Sequence, residues 1–478
     1  MARIVVLGGA MTGLATAALL GRDGHDVTVL ERDVAEPKGD ADELWRTWER
    51  PGVSQFRLPH IMLGAWNKVM EEDLPEVLDE VVRLGCSHVN TIATQPDTLT
   101  GGTRPGDEEL RNLIGRRPVV EAALATVAAR TPGVTIRRGT KAESLVATAG
   151  ADGVPQVGGV VTQDGEVLTA DLVVDAMGRN TTLDRMLDAI GATGPEVQAE
   201  DLGFVYYCRH FRNNEPRTMP VVGAVIPYEG MTLLVIPADA DTYCLVFSVA
   251  SNDHEMRDLR EIDAWERALA LFPNFSPVRA VSTPITDIQV MNGGGDRRRS
   301  LLVDGAPVVT GLVAVGDSAV RTNPLLGRGA STGLVQARTL RDVLREVAPD
   351  RPDVLALRFG EAVDATVGPM YRFTLDQDQH RMAEVQAEIA GRPYPPAGAG
   401  WRLQRALQMM FSQDPDALRA LFRAAHRIEA FDTGTLPDTL RAKIEELEVD
   451  RPVYPPGGPT RTQLLAAVAG RPAQSAPA

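Results

Sequence analysis

The chain has few lysines and few cysteines. Its 478 residues include 49 Lys and Arg against 64 Asp and Glu, which gives a net charge of −15, and lysine occurs only at positions 38, 68, 141 and 443. An acidic surface repels phosphate backbones, so we expect no nucleic-acid partner. The cysteines Cys86, Cys208 and Cys244 form no CxxC or Cys/His cluster. The sequence therefore predicts no metal site and no disulfide framework, and it predicts buried free thiols.

Long apolar runs are also scarce. Only the segment from Ile4 to Leu20 approaches the ~20 apolar residues that a bilayer span needs, and it is interrupted by Gly8, Gly9 and Gly13. These glycines, and the lack of a small-x-small cleavage site, argue against a signal peptide. We therefore expect no membrane insertion and a cytoplasmic location.

The chain begins with the pattern strand, glycine-rich turn, helix, strand. The turn Gly8-Gly9-Ala10-Met11-Thr12-Gly13 fits a dinucleotide fingerprint, in which Gly8 permits the tight turn and Gly13 lets the helix approach the strand. The helix N-terminus attracts a pyrophosphate. Ala10 replaces the usual second glycine, which is tolerable if its φ stays negative or the phosphate shifts. Glu31 ends the second strand, where a carboxylate can bind ribose hydroxyls. An ordinary βαβ unit is the alternative, and this turn alone leaves FAD and NAD open.

Two later strands also end in glycine-containing turns. The apolar strand Leu172–Asp175 leads to Gly178-Arg179, which by itself equally suits a buried strand with a polar turn. The strand Leu312–Val315 leads to Gly316-Asp317, and we expect Asp317 to bind the ribityl chain of a flavin. Further on, Pro324 stiffens the approach, Gly327 and Gly329 let the backbone come close to a flat ring, and Ala330 lies at a helix start whose N–H groups stabilise an anionic reduced flavin. An ordinary strand-turn-helix is the alternative for this segment.

In order and spacing, these segments resemble the FAD-dependent monooxygenases related to para-hydroxybenzoate hydroxylase, over roughly residues 1–340. Asp175–Gly178 and Asn323–Gly329 look like the branch that includes polyketide epoxidases and, more distantly, geranylgeranyl reductases and halogenases. The resemblance implies that Arg50, in Arg50-Pro51-Gly52-Val53-Ser54-Gln55, reaches the FAD pyrophosphate and that Arg117 starts a helix against the cofactor. Arg32 is assigned to the same cofactor site. Simple solvation of Arg50 and Arg117 is the alternative.

The sequence departs from the family pattern in several places. Val320 stands where a histidine often follows the Gly-Asp turn, and Met177 replaces a small or acidic residue. The Trp-x-Trp-x-Ile-Pro signature of halogenases is missing, and none of the lysines lies in a segment that matches the halogenase catalytic lysine. Halogenation is therefore disfavoured.

The predicted fold class is α/β, with a Rossmann-like FAD-binding domain interleaved with a mostly antiparallel β-sheet substrate domain, followed by C-terminal helices. The predicted boundaries are 1–190 and 296–345 for the two parts of the FAD-binding domain, 191–295 for the substrate domain and 346–478 for the helical region. Segments rich in Val, Tyr, Phe and Thr between about 200 and 290 indicate the antiparallel sheet.

The sheet is expected to cover a substrate pocket over the flavin. Its candidate lining residues also suit packing within the sheet, which is the more ordinary role for such side chains; they are Tyr206, Tyr207, Pro237 and Phe247. Gln55 and His60 lie on a segment expected near the ring, where His60 either tunes the flavin, binds a substrate oxygen or is a satisfied structural histidine. No catalytic acid or base is assigned.

The resemblance implies that FAD, reduced by NAD(P)H or by a partner flavin reductase, forms a C4a-hydroperoxide that hydroxylates or epoxidises a lipophilic small-molecule metabolite. Because the sequence has no second dinucleotide fingerprint, NAD(P)H is expected to dock transiently. Two alternatives stay open at this point. One is an FAD-dependent reductase or dehydrogenase that acts on C=C bonds without oxygen insertion, and the other is a non-catalytic FAD-binding protein.

Overall fold

The computed structural model describes the chain except for residues 151–152, 216–223, 273–274, 276–278, 395–397, 427–433, 435, 448, 450, 456 and 472–478. Its central feature is a parallel sheet built from short, apolar, β-branched strands. In spatial order the strands are β20 (Leu312–Ala314), β9 (Leu172–Asp175), β1 (Arg3–Leu7), β2 (Asp26–Glu31) and β5 (Val134–Arg138). The carboxyl ends of β1, β9 and β20, each followed by one of the three predicted turns, therefore lie side by side.

The other large sheet is antiparallel and lies in the middle of the chain. Its spatial order is β12 (Ala224–Tyr228), β13 (Met231–Pro237), β14 (Thr242–Ala250), β11 (Phe204–Asn213) and β15 (Ser282–Pro284), with β16 (Gln289–Asn292) also paired to β11. The smaller sheets are β6 (Ala142–Ala149) with β7 (Pro155–Thr162) and β8 (Val167–Thr169); β10 (Glu196–Glu200) with β17 (Asp296–Ser300) and β21 (Val320–Arg321); β3 (Ser87–Asn90) with β4 (Arg111–Ile114); and β18 (Leu302–Val303) with β19 (Ala306–Pro307).

Helices cover the parallel sheet and form most of the C-terminal region. Those before the antiparallel sheet are α1 (Met11–Arg22), α2 (Ala41–Thr47), α3 (Gly64–Asp73), α4 (Pro75–Arg83), α5 (Asp97–Thr100), α6 (Arg117–Arg130) and α7 (Leu183–Ala189). The later ones are α8 (Ile262–Leu269), α9 (Gly329–Glu346), α10 (Pro352–Thr366), α11 (Gly368–Ile389), α12 (Ala399–Met410), α13 (Pro415–His426), α14 (Asp438–Glu446) and α15 (Arg461–Val468). No helix in the described part of the chain is long and apolar enough to cross a membrane.

Both faces of the parallel sheet are buried, which explains its continuous apolar strands. Along β1, Val5 and Leu7 belong to one core cluster, whereas Ile4 and Val6 belong to another. The same alternation of side chains divides the antiparallel sheet. One of its faces packs against α8 and α15, and the other packs against α11 and the segment that leads into α9. The three cysteines are free and buried, as predicted.

The predicted α/β architecture, with a parallel sheet, an antiparallel sheet and C-terminal helices, is confirmed. The parallel sheet takes β20 from the predicted return segment and its other strands from the first 190 residues. The individual domain boundaries stay predictions.

Candidate functional site

The first turn brings α1 against the end of β1. Gly8 has φ +105°, and a Cβ on this residue would lie 2.5 Å from the carbonyl oxygen of Ala176. A Cβ on Gly13 would lie 1.9 Å from the carbonyl oxygen of Gly8, so a larger residue would push α1 away from the strand. Ala10 precedes α1 with φ −93°, which accommodates its methyl group. No side chain caps this helix start, so its first N–H groups are available to an anion.

Behind this turn, Arg50 lies in a buried cluster of carboxylates. Its Nη2 donates to Glu31 at 2.6 Å, its Nε donates to Asp33 at 3.0 Å, and its Nη1 donates to Glu121. Burial lowers the pKa of Arg50, but the negative charges of Glu121 and Glu31 outweigh burial and the pKa is raised. The Arg50 side chain has 0% exposure. The guanidinium also donates to the carbonyl oxygen of Gly9 at 3.3 Å, and Arg50 does not line the cavity. Its assignment to the FAD pyrophosphate stays a prediction.

Glu31 and Arg32 also lie outside the cavity wall. Glu31 accepts hydrogen bonds from the backbone N–H groups of Gly9 at 2.9 Å and Asp33 at 2.8 Å, in addition to that from Arg50. Its carboxylate thus holds the first turn in shape. Arg32 is exposed and donates to the carbonyl oxygen of Gly52 at 2.9 Å. The assignment of Glu31 and Arg32 to the cofactor stays a prediction.

Arg117, at the start of α6, lines the cavity together with His60. Its Nε donates to Glu121 at 3.1 Å, and its Nη1 donates to Nε2 of His60 at 3.1 Å. Nδ1 of His60 lies 2.8 Å from the carbonyl oxygen of Leu58, so a neutral ring protonated on Nδ1 satisfies both contacts. Burial and the charge of Arg117 lower the pKa of His60 to about 3. His60 therefore acts as a neutral acceptor that orients Arg117.

The second and third turns are tied together by Asp175. Its buried carboxylate accepts hydrogen bonds from the backbone N–H of Met177 at 2.8 Å, the hydroxyl of Thr181 at 2.6 Å and the hydroxyl of Ser318 at 3.0 Å. The Ser318 hydroxyl in turn accepts a hydrogen bond from the backbone N–H of Gly178 at 2.8 Å. The aspartate of the second turn therefore has a structural role, and it places Gly178 and Arg179 beside the third turn.

Asp317, in the third turn, lines the cavity and is half-buried. Within the described residues, its carboxylate forms no hydrogen bond and no ion pair. Burial raises the pKa of Asp317, and the charges of Arg117, Arg321 and Arg179 oppose this rise. An acceptor without a protein partner, facing a cavity at a strand end, fits the hydroxyl groups of a polyol chain.

The segment before α9 completes the wall. Gly327 has φ +65°, and a Cβ there would lie 2.9 Å from Cγ2 of Ile61. A Cβ on Gly329 would meet only Oδ1 of Asp317, at 3.9 Å, so the backbone is open to the cavity at this point. Pro324 and Ala330 line the cavity as well, and no side chain caps the start of α9. Two open helix starts, a partner-free carboxylate and a glycine-lined backbone make this wall fit FAD.

The cavity has a volume of about 1340 Å³ and continues well beyond this wall. Because single ligands occupy pockets of roughly 300–1,000 Å³, this space can hold a cofactor and a second ligand together. Another part of its lining consists of apolar residues of the antiparallel sheet and of α12 and α13, together with two glutamines: Ile226, Leu234, Ile236, Met291, Leu403, Leu407, Leu421, Phe422, Gln404 and Gln408. We call this part the apolar lobe.

Sequence reasoning found part of this cavity. The predicted residues that line it are Ala10, Met11, Thr12, Gln55, His60, Arg117, Asp317, Pro324, Gly327, Gly329 and Ala330. It missed the apolar lobe, because apolar residues on α12 and α13 look like ordinary helix core. It also missed Arg179 and Arg321, although Arg179 belongs to the Gly-Arg turn.

The predicted lining residues of the antiparallel sheet lie elsewhere, which corrects their expected position. Tyr207 and Phe247 face the opposite side of the sheet, where they pack with Trp265 of α8. Tyr206 is buried on the cavity side, but its hydroxyl donates to Oδ1 of Asn323 at 2.6 Å behind the wall. Pro237 is buried at the end of β13 and does not line the cavity.

No protein-family model matches the sequence. Protein Rv3254 of Mycobacterium tuberculosis is 26% identical over 424 residues, which cover 83% of this chain and 84% of that protein. The structure of the flavin-dependent brominase Bmp2 superposes with a TM-score of 0.59 at 15% identity, over 93% of this chain and 98% of that chain. The probable FAD-dependent monooxygenase PqsL of Pseudomonas aeruginosa gives a TM-score of 0.55 at 19% identity, over 80% and 99%. The chain therefore has the fold shared by flavin-dependent monooxygenases and halogenases, as its motifs predicted.

Proposed function

We propose that this protein is an FAD-dependent monooxygenase that hydroxylates or epoxidises a lipophilic small-molecule metabolite. The observation that carries the proposal is that residues of all three turns and of the apolar lobe line one continuous cavity of about 1340 Å³. A cofactor held by the turns would face a second ligand held in the lobe.

The wall supplies a place for the pyrophosphate, the ribityl chain and the flavin ring of FAD. The open start of α1, from Ala10 to Thr12, would hold the pyrophosphate, and Asp317 would accept hydrogen bonds from the ribityl hydroxyls. The backbone from Pro324 to Ala330 would lie against the ring. When reduced, FAD supplies the oxygen chemistry. The chain positions the ring, and Arg117 and the start of α9 favour negative charge near it.

The apolar lobe supports a lipophilic substrate. Its aliphatic and aromatic side chains exclude water, and burying a charged group among them without a partner would cost several kcal/mol. Oε1 of Gln404 has no hydrogen-bond partner among the described residues, whereas Oε1 of Gln408 accepts a hydrogen bond from Arg405. The Gln404 amide and the amide nitrogen of Gln408 can therefore bind a few neutral polar groups of a substrate. The alternative, reduction of a C=C bond without oxygen insertion, would use the same cavity. It is distinguished from oxygenation because it needs no oxygen.

The positions of the lysines favour oxygenation over halogenation. Lys38, Lys68, Lys141 and Lys443 are all exposed, and none of them lines the cavity. A lysine beside the ring, as in the halogenase pattern, is therefore missing from the described wall. The reductant in this proposal is NAD(P)H, which docks transiently or acts through a flavin reductase.

The test begins with the purified protein, which should show the visible absorption of bound flavin. Turnover with NADPH and labelled dioxygen, screened over lipophilic polyenes and fused-ring aromatics, should place labelled oxygen in one product class. Anaerobic turnover that reduces a C=C bond would favour the alternative, and a protein that takes up no FAD would refute both.

A substitution in the apolar lobe separates substrate binding from cofactor binding. Leu403→Trp should fill the lobe and raise the KM for the substrate while FAD stays bound. Arg402→Trp is the matched control, because Arg402 is the adjacent, exposed residue of α12 and does not line the cavity. Equal substrate KM values for these two variants would place the substrate outside the lobe.

A further inference from the structure

Arg179 and Arg321 line the cavity together with Asp317, and neither forms an ion pair within the part of the chain that the structure describes. Both are half-buried. Nε of Arg321 donates to the carbonyl oxygen of Gly295 at 3.1 Å, and within the described residues Arg179 forms no hydrogen bond or ion pair. Most of the N–H groups of two guanidinium groups are thus free on the cavity wall.

The neighbouring arginines of β17, in contrast, form ion pairs. Arg297 and Arg299 of β17 both pair with Asp184, at 3.0 and 2.9 Å, and Arg298 pairs with Asp364 at 2.8 Å. The chain carries 64 acidic residues against 49 basic ones, so carboxylates are plentiful. Of these five arginines, the two without an ion-pair partner among the described residues are Arg179 and Arg321, which line the cavity.

A glycine segment holds the two guanidinium groups in place. Gly294 has φ +75°, and a Cβ on it would lie 2.0 Å from Nη2 of Arg179, so Arg179 packs directly on this backbone. The carbonyl oxygen of Gly295, the next residue, accepts the hydrogen bond from Nε of Arg321. Like charges repel each other, and burial together with the charge of Arg179 lowers the pKa of Arg321, whereas the charges of Asp317 and Asp296 raise it. An anion bound between them would remove this repulsion and form charge-assisted hydrogen bonds.

We propose that Arg179 and Arg321 form an oxyanion subsite that binds a carboxylate or phosphate group of the second ligand in the cavity. The inference rests on the proposed function, in which the open start of α1 takes the pyrophosphate of FAD. The oxyanion has two possible sources. It is either the acid group of an amphipathic substrate whose apolar body lies in the lobe, or a phosphate of the dinucleotide reductant.

The experiment uses the FAD-loaded protein and two probes, and it follows the change in flavin absorption on binding. Dodecanoate is compared with its methyl ester, which keeps the apolar chain but has no charge, and NADP⁺ is titrated separately. Arg179→Gln and Arg321→Gln should weaken either dodecanoate or NADP⁺ by about tenfold or more, while binding of the methyl ester is unchanged. Arg298→Gln is the control, since Arg298 is paired with Asp364 and does not line the cavity.

The outcomes distinguish the two sources of the oxyanion, and they distinguish a failure of the subsite from a failure of the proposed function. A loss confined to dodecanoate assigns the subsite to the substrate, and a loss confined to NADP⁺ assigns it to the reductant. Unchanged affinity of both variants for both probes overturns the subsite, and so does an equal loss of FAD, which would assign the arginines to the cofactor. A wild-type protein that binds no FAD refutes the proposed function itself, and this is measured before either probe is added.

Discussion

Replacement of Arg50 by methionine should lower the free energy of unfolding by about 3–5 kcal/mol. The substitution keeps most of the side-chain length but removes the cation that contacts Glu31, Asp33 and Glu121. These carboxylates are between 0% and 8% exposed, so water cannot replace the lost hydrogen bonds. Breaking one buried ion pair by removing a partner costs about 3–5 kcal/mol. Because total stability is only about 5–15 kcal/mol, the effect should be large.

The assay is guanidinium denaturation of the FAD-free protein, followed by circular dichroism. Arg345→Met is the matched control, because Arg345 pairs with Asp23 while its own side chain is 54% exposed, and such pairs contribute about 0–1 kcal/mol. If Arg50→Met costs no more than this control and instead abolishes FAD binding, Arg50 contacts the cofactor and the buried-cluster reasoning is wrong.

Three further substitutions test the turns and the C-terminal region. Gly13→Ala should abolish FAD binding, because its Cβ would lie 1.9 Å from the Gly8 carbonyl, whereas Gly158→Ala, which meets nothing within 4 Å, should bind FAD normally in a flavin titration. Asp317→Ala should lose flavin during purification and the exposed Asp188→Ala should keep it; full retention by Asp317→Ala would remove the ribityl assignment. Burial raises the pKa of Glu388, which accepts hydrogen bonds from Tyr454 and Gly230, to about 7. The Glu388 carboxyl therefore binds a proton more tightly in the folded state than in the unfolded state. Its contribution to the free energy of unfolding is complete below about pH 4.3, the pKa of glutamate in the unfolded chain, and is lost as the pH rises through about 7. Thermal midpoints at pH 5 and pH 8 should differ less for Glu388→Gln than for the wild type, and an unchanged difference would contradict the assignment.

The sequence by itself determined the features that depend on neighbouring residues. The turn from Gly8 to Gly13 needs residues without side chains at a tight strand-to-helix connection, and such a requirement is visible in a short segment. The same is true of Asp317 at the end of its strand and of the glycines before α9. Because the strands of this sheet are parallel, their carboxyl ends, and the turns that follow them, lie at one edge.

Only the tertiary structure decided which partners the charged and aromatic residues meet. Arg50 lies 71 residues from Glu121 in sequence, and no local pattern shows that their side chains share a buried cluster. Tyr206 and Tyr207 are adjacent, yet the alternation of side chains along β11 sends them to opposite faces of the sheet, and the elements packed on each face determine their environments. The apolar lobe is likewise formed by helices from the end of the chain, whose contact with the cavity depends on packing between residues far apart in sequence.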